Sequence, residues 1–365
     1  MENHNGRANN HLSQSQVLRR NWLGRLFHLL APASVSSPLP DMPASLSPAP
    51  EKTVFVLLGG GSRGASQAGS LAAVMEHGIC PDVIIGVSAG AWNGAYLAAD
   101  PTPERARMLC DLWAKTKTTD LLGGGWWQAA VSAVSGRPAL YGSEGPVRVA
   151  HRYLSTQTFE ELRVPLYIVA ANLTSGQPTI FSSGRLLPAV LASSAVPGIF
   201  PPVVKDGQVY VDGGLEEWEA SATALKLGAR QVYLFGCGSI AEISPRLTPT
   251  ASGMLAEEHP SQPGRDWRAL LTRRQQANAM LGANLLDVLE RSWDVITRYQ
   301  FRRSAEGLRS SGVKVISIDP QLPAHSRPLD FNRGPAMIAA GRAAAEAVLS
   351  DVAQTISDLT TLSAS

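Results

Sequence analysis

The sequence predicts an α/β protein, a three-layer sandwich around a mainly parallel central sheet. Three observations carry this. TVFVLL (53–58) is an unbroken apolar run, the mark of a strand buried on both faces. It leads directly into a glycine turn and a helical stretch, ASQAGSLAAVMEHG, closed by Gly78. The pattern then repeats, as PDVIIGV (81–87) runs at once into SAGAWNGAYLAA (88–99). Strand, tight turn and helix in succession give parallel strands joined by crossovers.

The other segments follow in order. Residues 1–51 read as a disordered or amphipathic tail ending in a Pro/Ser/Ala-rich linker at 31–50. Within it, Trp22, Leu23, Leu26, Phe27 and Leu30 share one helical face, the pattern of a helix lying on a membrane surface. Arg19 and Arg20, followed by an aromatic and a leucine, also resemble a twin-arginine export signal. Further strands are expected at 165–173, 208–214, 231–238 and 313–320. Residues 120–146 are apolar without a clear period, and 265–309 read as helical and arginine-rich. A last helix is expected at about 335–349. The expected organisation is one domain at 52–350, with a C-terminal tail at 351–365.

Composition narrows the function. A formal net charge of +2 over 365 residues argues against nucleic acid. The seven histidines show no pair at metal-ligand spacing, so no metal is expected. Three cysteines (Cys80, Cys110, Cys237), odd in number and far apart, suit free thiols in a reducing, cytoplasmic setting. No run of 18 apolar residues suggests a transmembrane helix.

Two glycine-framed corners hold the chemistry. IIGVSAG places Ser88 in the pattern G-x-S-x-G between a strand and a helix. Gly86 and Gly90 let neighbouring chain pass close, and the helix N-terminus favours negative charge near the hydroxyl. Ser88 is therefore a candidate nucleophile; the alternative is an ordinary helix N-cap. GGGSRG (59–64) also satisfies G-x-G-x-x-G, a dinucleotide-binding turn. That reading needs an acid at the end of the second strand, whereas Glu76 and Asp82 both precede it. The other use of such a loop is an oxyanion hole, with amides from Gly60 and Gly61 and a third from Ala89. Arg63 would brace the loop, meet a phosphate, or lie on the surface.

A serine nucleophile needs a proton acceptor. His259 and His325 follow Ser88 in a suitable order, one in a polar loop and the other beside proline. Asp212 is the other candidate: it ends a β-like run, and Gly213–Gly214 follow it in a tight turn. Burial would raise its basicity toward neutral pH. Alternatively, Asp212 merely opens that turn.

GGGSRG, GVSAG and DGG, in this order, resemble the patatin-like phospholipase family. The segment 81–99, the stretch SSAVPGIFPPV (193–203), the strand VKVISIDP and the final helix are also similar, so the resemblance covers about 53–350. It implies a patatin-like fold and a Ser88–Asp212 dyad that needs no cofactor. Gly59, Gly60, Gly61, Arg63 and Gly64 would form or support the oxyanion loop. Gly86, Ala89, Gly90, Gly213 and Gly214 would shape the two turns. The implied activity is hydrolysis of acyl esters in phospholipids or related lipids. The family commonly has Asn and Pro soon after its DGG; here the run is DGGLEEWEAS, with Glu216, Glu217 and Glu219 read as facing water.

The segment 123–141, with its paired tryptophans, reads as a cap over an acyl channel or as core. Residues 265–309 carry nine arginines against five acids, a surplus suited to anionic headgroups or to a solvated face. Two other readings stay open: an esterase whose triad uses His259 or His325, and a non-catalytic lipid-binding module.

Overall fold

The computed structural model describes residues 52–123, 135, 137–240, 285–323 and 326–363. The tail readings at 1–51, most of the 123–141 segment and the arginines at 265–274 lie outside the described residues. The strands are β1 (Thr53–Leu57), β2 (Val83–Val87), β3 (Leu166–Asn172), β4 (Gln177–Phe181), β5 (Val203–Lys205), β6 (Gln208–Asp212), β7 (Gln231–Phe235), β8 (Ser239–Ile240), β9 (Lys314–Ile318) and β10 (Gln321–Leu322). The helices are α1 (Gly64–Glu76), α2 (Ala89–Ala98), α3 (Pro103–Lys115), α4 (Thr118–Leu122), α5 (Glu144–Tyr153), α6 (Leu186–Ser193), α7 (Trp218–Lys226), α8 (Leu285–Ser310) and α9 (Gly334–Ser363).

Strand β1 lies inside the sheet, parallel to β2 on one side and to β7 on the other, while β3 and β9 extend the parallel set outward. Its side chains alternate between two cores. Phe55 and Leu57 pack on one face with α1, α2, α3, α6 and α9. Val54 and Val56 pack on the other with Ala220 and Ala224 of α7 and Leu308 of α8. Both faces are covered, which is why β1 and β2 are apolar at nearly every position. Each fully buried aliphatic or aromatic side chain contributes about 1.5–3 kcal/mol to that packing.

The other end of the sheet is antiparallel. β4 and β6 both run against β3, and β5 runs against β6. The β5–β6 hairpin turns at Asp206–Gly207, both with positive φ (51° and 73°), as a two-residue D-G turn requires. Strand β3 reveals how the site is assembled. Ile168 and Val169 pair with β2 on one edge and with β4 on the other. Ala170–Asn172 pair with β4 and with β6. A strand has two edges only, so β2 and β6 share one edge of β3 and meet end to end. Val87 lies opposite Val169 and Asp212 opposite Ala170, one step further along.

The final helix is longer than the sequence suggested, running to Ser363 through the stretch read as a tail. No glycine or proline follows Leu349 to stop it. Helix α3 and the β4 and β5 strands were not anticipated. Thr102 caps α3 by accepting the Arg105 amide, and Pro103 occupies its first turn.

Candidate active site

Ser88 follows β2 directly and precedes α2. Its backbone is held at φ 52° and ψ −119°, a conformation unfavourable for any residue with a Cβ. The surroundings enforce it. The Ser88 amide donates to Ser193 Oγ at 2.8 Å, and that hydroxyl in turn donates to the Val169 carbonyl at 2.6 Å. Gly90 permits the tight turn, since a Cβ there would lie 2.1 Å from the Leu57 carbonyl oxygen. Gly86 faces the same corner, against the backbone of Gly90 and Ala91.

The Ser88 hydroxyl makes no capping bond to its helix. It donates instead to Asp212 Oδ2 at 2.7 Å. The second oxygen of that carboxyl, Oδ1, accepts the Gly214 amide at 2.7 Å. Asp212 thus holds its turn and faces the serine at once, so the two readings of this residue are compatible. Gly213 packs against β3, leaving no room for a side chain beside the Val169 carbonyl. Asp212 is wholly buried, and burial pushes its pKa up to about 7 against the opposing pull of hydrogen bonds from Ser88 and Gly214. Such a carboxyl changes protonation near neutral pH, as a general base should.

The glycine loop divides its amides. Gly59, expected in the oxyanion set, donates to Glu217 Oε1 at 2.6 Å. Ser62 donates to the Pro328 carbonyl and Arg63 to that of Gly60. The Gly64 amide, also expected in the set, turns back to the carbonyls of Gly61 and Ser62. Of the roles expected for these two glycines, supplying oxyanion donors is therefore corrected: the Gly59 amide is engaged by Glu217 and the Gly64 amide within the loop, so both support the loop. The amides of Gly60 and Gly61 have no protein acceptor among the described residues. Gly61 sits at φ 60°, and a Cβ on it would lie 2.3 Å from the Pro328 oxygen. Only glycine fits there.

Arg63 is buried rather than on the surface, at 2% exposure. Its guanidinium forms an ion pair with Asp294 of α8, and its Nε donates to the Ser326 carbonyl at 3.0 Å. It braces the loop from behind. Glu217 corrects a further expectation: it is buried, not solvated. Burial, reinforced by the charges of Asp212 and Asp319, pushes it up to about 8 despite the Gly59 hydrogen bond. His259 and His325 lie outside the described residues. Glu76 and Asp82 are engaged elsewhere, Glu76 with Arg107 and Arg342, and Asp82 with the Thr53 amide.

Ser88, Ala89 and Gly61 share the wall of a cleft of about 630 Å³, counted with its open mouth. Trp92, Trp113, Tyr153, Phe200 and Phe331 supply much of the remaining wall. Their polar atoms are turned to partners: Trp92 Nε1 donates to Ser194 Oγ, Trp113 Nε1 to Asn93 Oδ1, and the Tyr153 hydroxyl pairs with Thr116. The cleft therefore presents apolar surface beside the serine. Sequence reading missed these aromatics, because an aromatic at helical spacing looks the same in a core as in a pocket.

A covered, mainly parallel sheet with a serine on a strained strand–helix corner, facing a buried carboxyl, defines a class of α/β protein. Residues 55–217 match the family model described as patatin-like phospholipase. Over that segment the chain is similar to patatin-like phospholipase domain proteins. Patatin-like phospholipase domain-containing protein 6 of Homo sapiens is 29% identical over 187 residues, 51% of this chain and 13% of that protein. Lysophospholipase nte1 of Aspergillus terreus is 28% identical over 192 residues, 53% of this chain and 12% of that protein. The chain thus matches about an eighth of the length of these relatives. The structure of VipD from Legionella pneumophila aligns with a TM-score of 0.36 at 13% identity, over 83% of this chain and 67% of that one.

Proposed function

We propose that this protein is a serine acyl hydrolase that cleaves carboxylic esters of phospholipids or related lipids through a Ser88–Asp212 dyad. The observation that carries the proposal is the 2.7 Å hydrogen bond from Ser88 Oγ to a wholly buried Asp212, at the wall of an apolar cleft. Relatives named as phospholipases and a lysophospholipase support the lipid substrate class.

In the first half-reaction Ser88 Oγ attacks the ester carbonyl carbon and passes its proton to Asp212. The carbonyl oxygen becomes an oxyanion, met by the amides of Gly60, Gly61 and Ala89. Each such donor lowers the barrier by roughly 3 kcal/mol. Collapse breaks the bond to the alcohol, which leaves with the proton from Asp212. In the second half-reaction water attacks the acyl-serine, Asp212 takes its proton, and collapse returns that proton to Ser88 as the fatty acid leaves. No step calls for a cofactor.

The cleft's aromatic wall accounts for an acyl chain. Contact with a lipid surface belongs to the same proposal: Val295, Ile296 and Tyr299 are exposed on α8, with exposed Arg302 and Arg303 in its next turns. Among the described residues no helix is long and apolar enough to cross a membrane. The test is release of fatty acid from a panel of phospholipids, lysophospholipids and neutral esters by wild type and Ser88→Ala. Turnover by wild type alone is expected, together with rapid labelling of Ser88 by a fluorophosphonate. Folded wild type that neither turns over nor labels would favour a non-catalytic lipid-binding role.

A further inference from the structure

Five residues beyond Asp212, the Glu217 carboxyl is buried with 1% of its surface exposed. It bonds across 158 residues of chain to the amide of Gly59, the first residue of the glycine loop. Gly59 touches both halves of the site. A Cβ built on it would lie 3.1 Å from Ser88 Cβ and 3.5 Å from Glu217 Oε1. The next two residues carry the amides left for substrate.

We propose that Glu217 is a positioning residue: by clamping the Gly59 amide it fixes where the loop leaves β1, and so aims the Gly60 and Gly61 amides at the substrate's carbonyl oxygen. The inference rests on the hydrolase reading above. Two features distinguish Glu217 from a mere loop anchor. First, the loop's other anchors lie elsewhere: Ser62 and Arg63 bind the segment 326–328, Arg63 binds α8, and the Gly64 carbonyl accepts from Asn93 of α2. Among the described residues Glu217 is the side chain whose hydrogen bond ties the loop to the segment after Asp212, so it couples the oxyanion side of the site to the base. Second, it makes no ion pair among the described residues. The groups facing it are Asp212 from β6, Asp319 beyond β9, Cys237 beyond β7, Arg63 of the loop and Arg298 of α8. Arg63 is committed to Asp294.

The carboxyl therefore works in its neutral form. Pushed up to about 8, it is mostly protonated at pH 7, where an anion must develop nearby. Above pH 8 its ionisation sets a negative charge beside Asp212 and the oxyanion, and the rate falls. Below pH 7, protonation of Asp212 removes the base. The acid limb of the pH profile then belongs to Asp212 and the alkaline limb to Glu217.

The experiment measures kcat and KM of the full chain on a short-chain p-nitrophenyl ester from pH 5 to 10, for wild type, Glu217→Ala and Glu217→Gln. Expected is a loss in kcat of about tenfold or more for Glu217→Ala with KM within about twofold, since the loss falls on the transition state. Glu217→Gln, whose amide oxygen still accepts from Gly59, should recover kcat to within about threefold and lose the fall above pH 8. Should Glu217→Ala fail to fold, the Glu217→Gln profile decides. Unchanged kcat in Glu217→Ala, or an alkaline limb that persists in Glu217→Gln, overturns the proposal alone. Wild type with no esterase activity overturns the hydrolase reading and this inference with it.

Discussion

The corner that carries Ser88 and the corner that carries Asp212 face each other across one hydrogen bond, yet they are built in opposite ways. Ser88 ends a parallel strand and starts a helix, and its backbone is forced to φ 52°. Asp212 ends an antiparallel strand, with an ordinary backbone at φ −47° and ψ 130°. What is unfavourable at Asp212 is its solvation: a carboxyl with no exposure and, among the described residues, no cation paired with it. One corner stores strain in a torsion, the other in electrostatics. Each type costs on the order of 1–3 kcal/mol or more, and both are tolerated because the surrounding sheet over-determines the geometry.

This contrast can be sharpened by removing each group alone. Ser88→Ala should lower ester turnover by at least about 10³-fold with the fold intact, as seen by circular dichroism. Asp212→Asn should lower it by about 10²–10⁴-fold, because the amide occupies the same space but accepts no proton. Comparable turnover in Asp212→Asn and wild type would remove Asp212 from the base's role and return attention to His259 and His325.

The stored electrostatic strain predicts a pH signature. Asp212 binds its proton more tightly folded, at about 7, than at its ordinary value of 3.8. Folded protein thus holds more protons than unfolded protein between those values, and wild-type stability from this group falls as pH rises through that window. Relative to wild type, Asp212→Asn should gain roughly 2–4 kcal/mol between pH 4 and pH 8, then level off. A thermal-melt difference that stays flat across that range would contradict the assignment. The torsional strain gives a pH-independent counterpart. Ser88→Gly should be more stable than Ser88→Ala by about 1–2 kcal/mol, since only glycine adopts this conformation freely. An effect of the same size is expected at the support: Ser193→Ala leaves the buried Ser88 amide without its acceptor and should cost about 1–2 kcal/mol of stability.

The same contrast governs what the sequence reveals. The Ser88 side is local: VIIGVSAG states strand, turn and helix within eight residues, and the glycines announce the close approaches. The Asp212 side depends on pairing between distant segments. VVKDGQVYVDGG contains a D-G hairpin signal between alternating apolar residues, which would have located β5 and the antiparallel sense of β6. Nothing local says that β6 joins the same edge of β3 as β2. Glu217 was misplaced, and Arg63 left open between bracing the loop, meeting a phosphate and the surface, for a related reason. Their burial is set by Asp294 and by Gly59, partners 231 and 158 positions away. The run LEEWEAS, with three acids in five residues, looks like a solvated face until that partner is known. Helix α9 overran its expected end because a missing stop signal leaves a helix's length to tertiary contacts.

Strand β3 serves as a ruler on which the serine and the aspartate are two adjacent graduations. A strand advances about 3.3 Å per residue, so a two-residue slip of β6 along β3 would carry the carboxyl roughly 7 Å from the hydroxyl. Insertions between residues 98 and 166, or between 240 and 285, leave that spacing untouched, because they lie off the ruler. The site can thus accept long additions to its surroundings while the Ser88–Asp212 spacing is written in the counting of a single hydrogen-bonded edge.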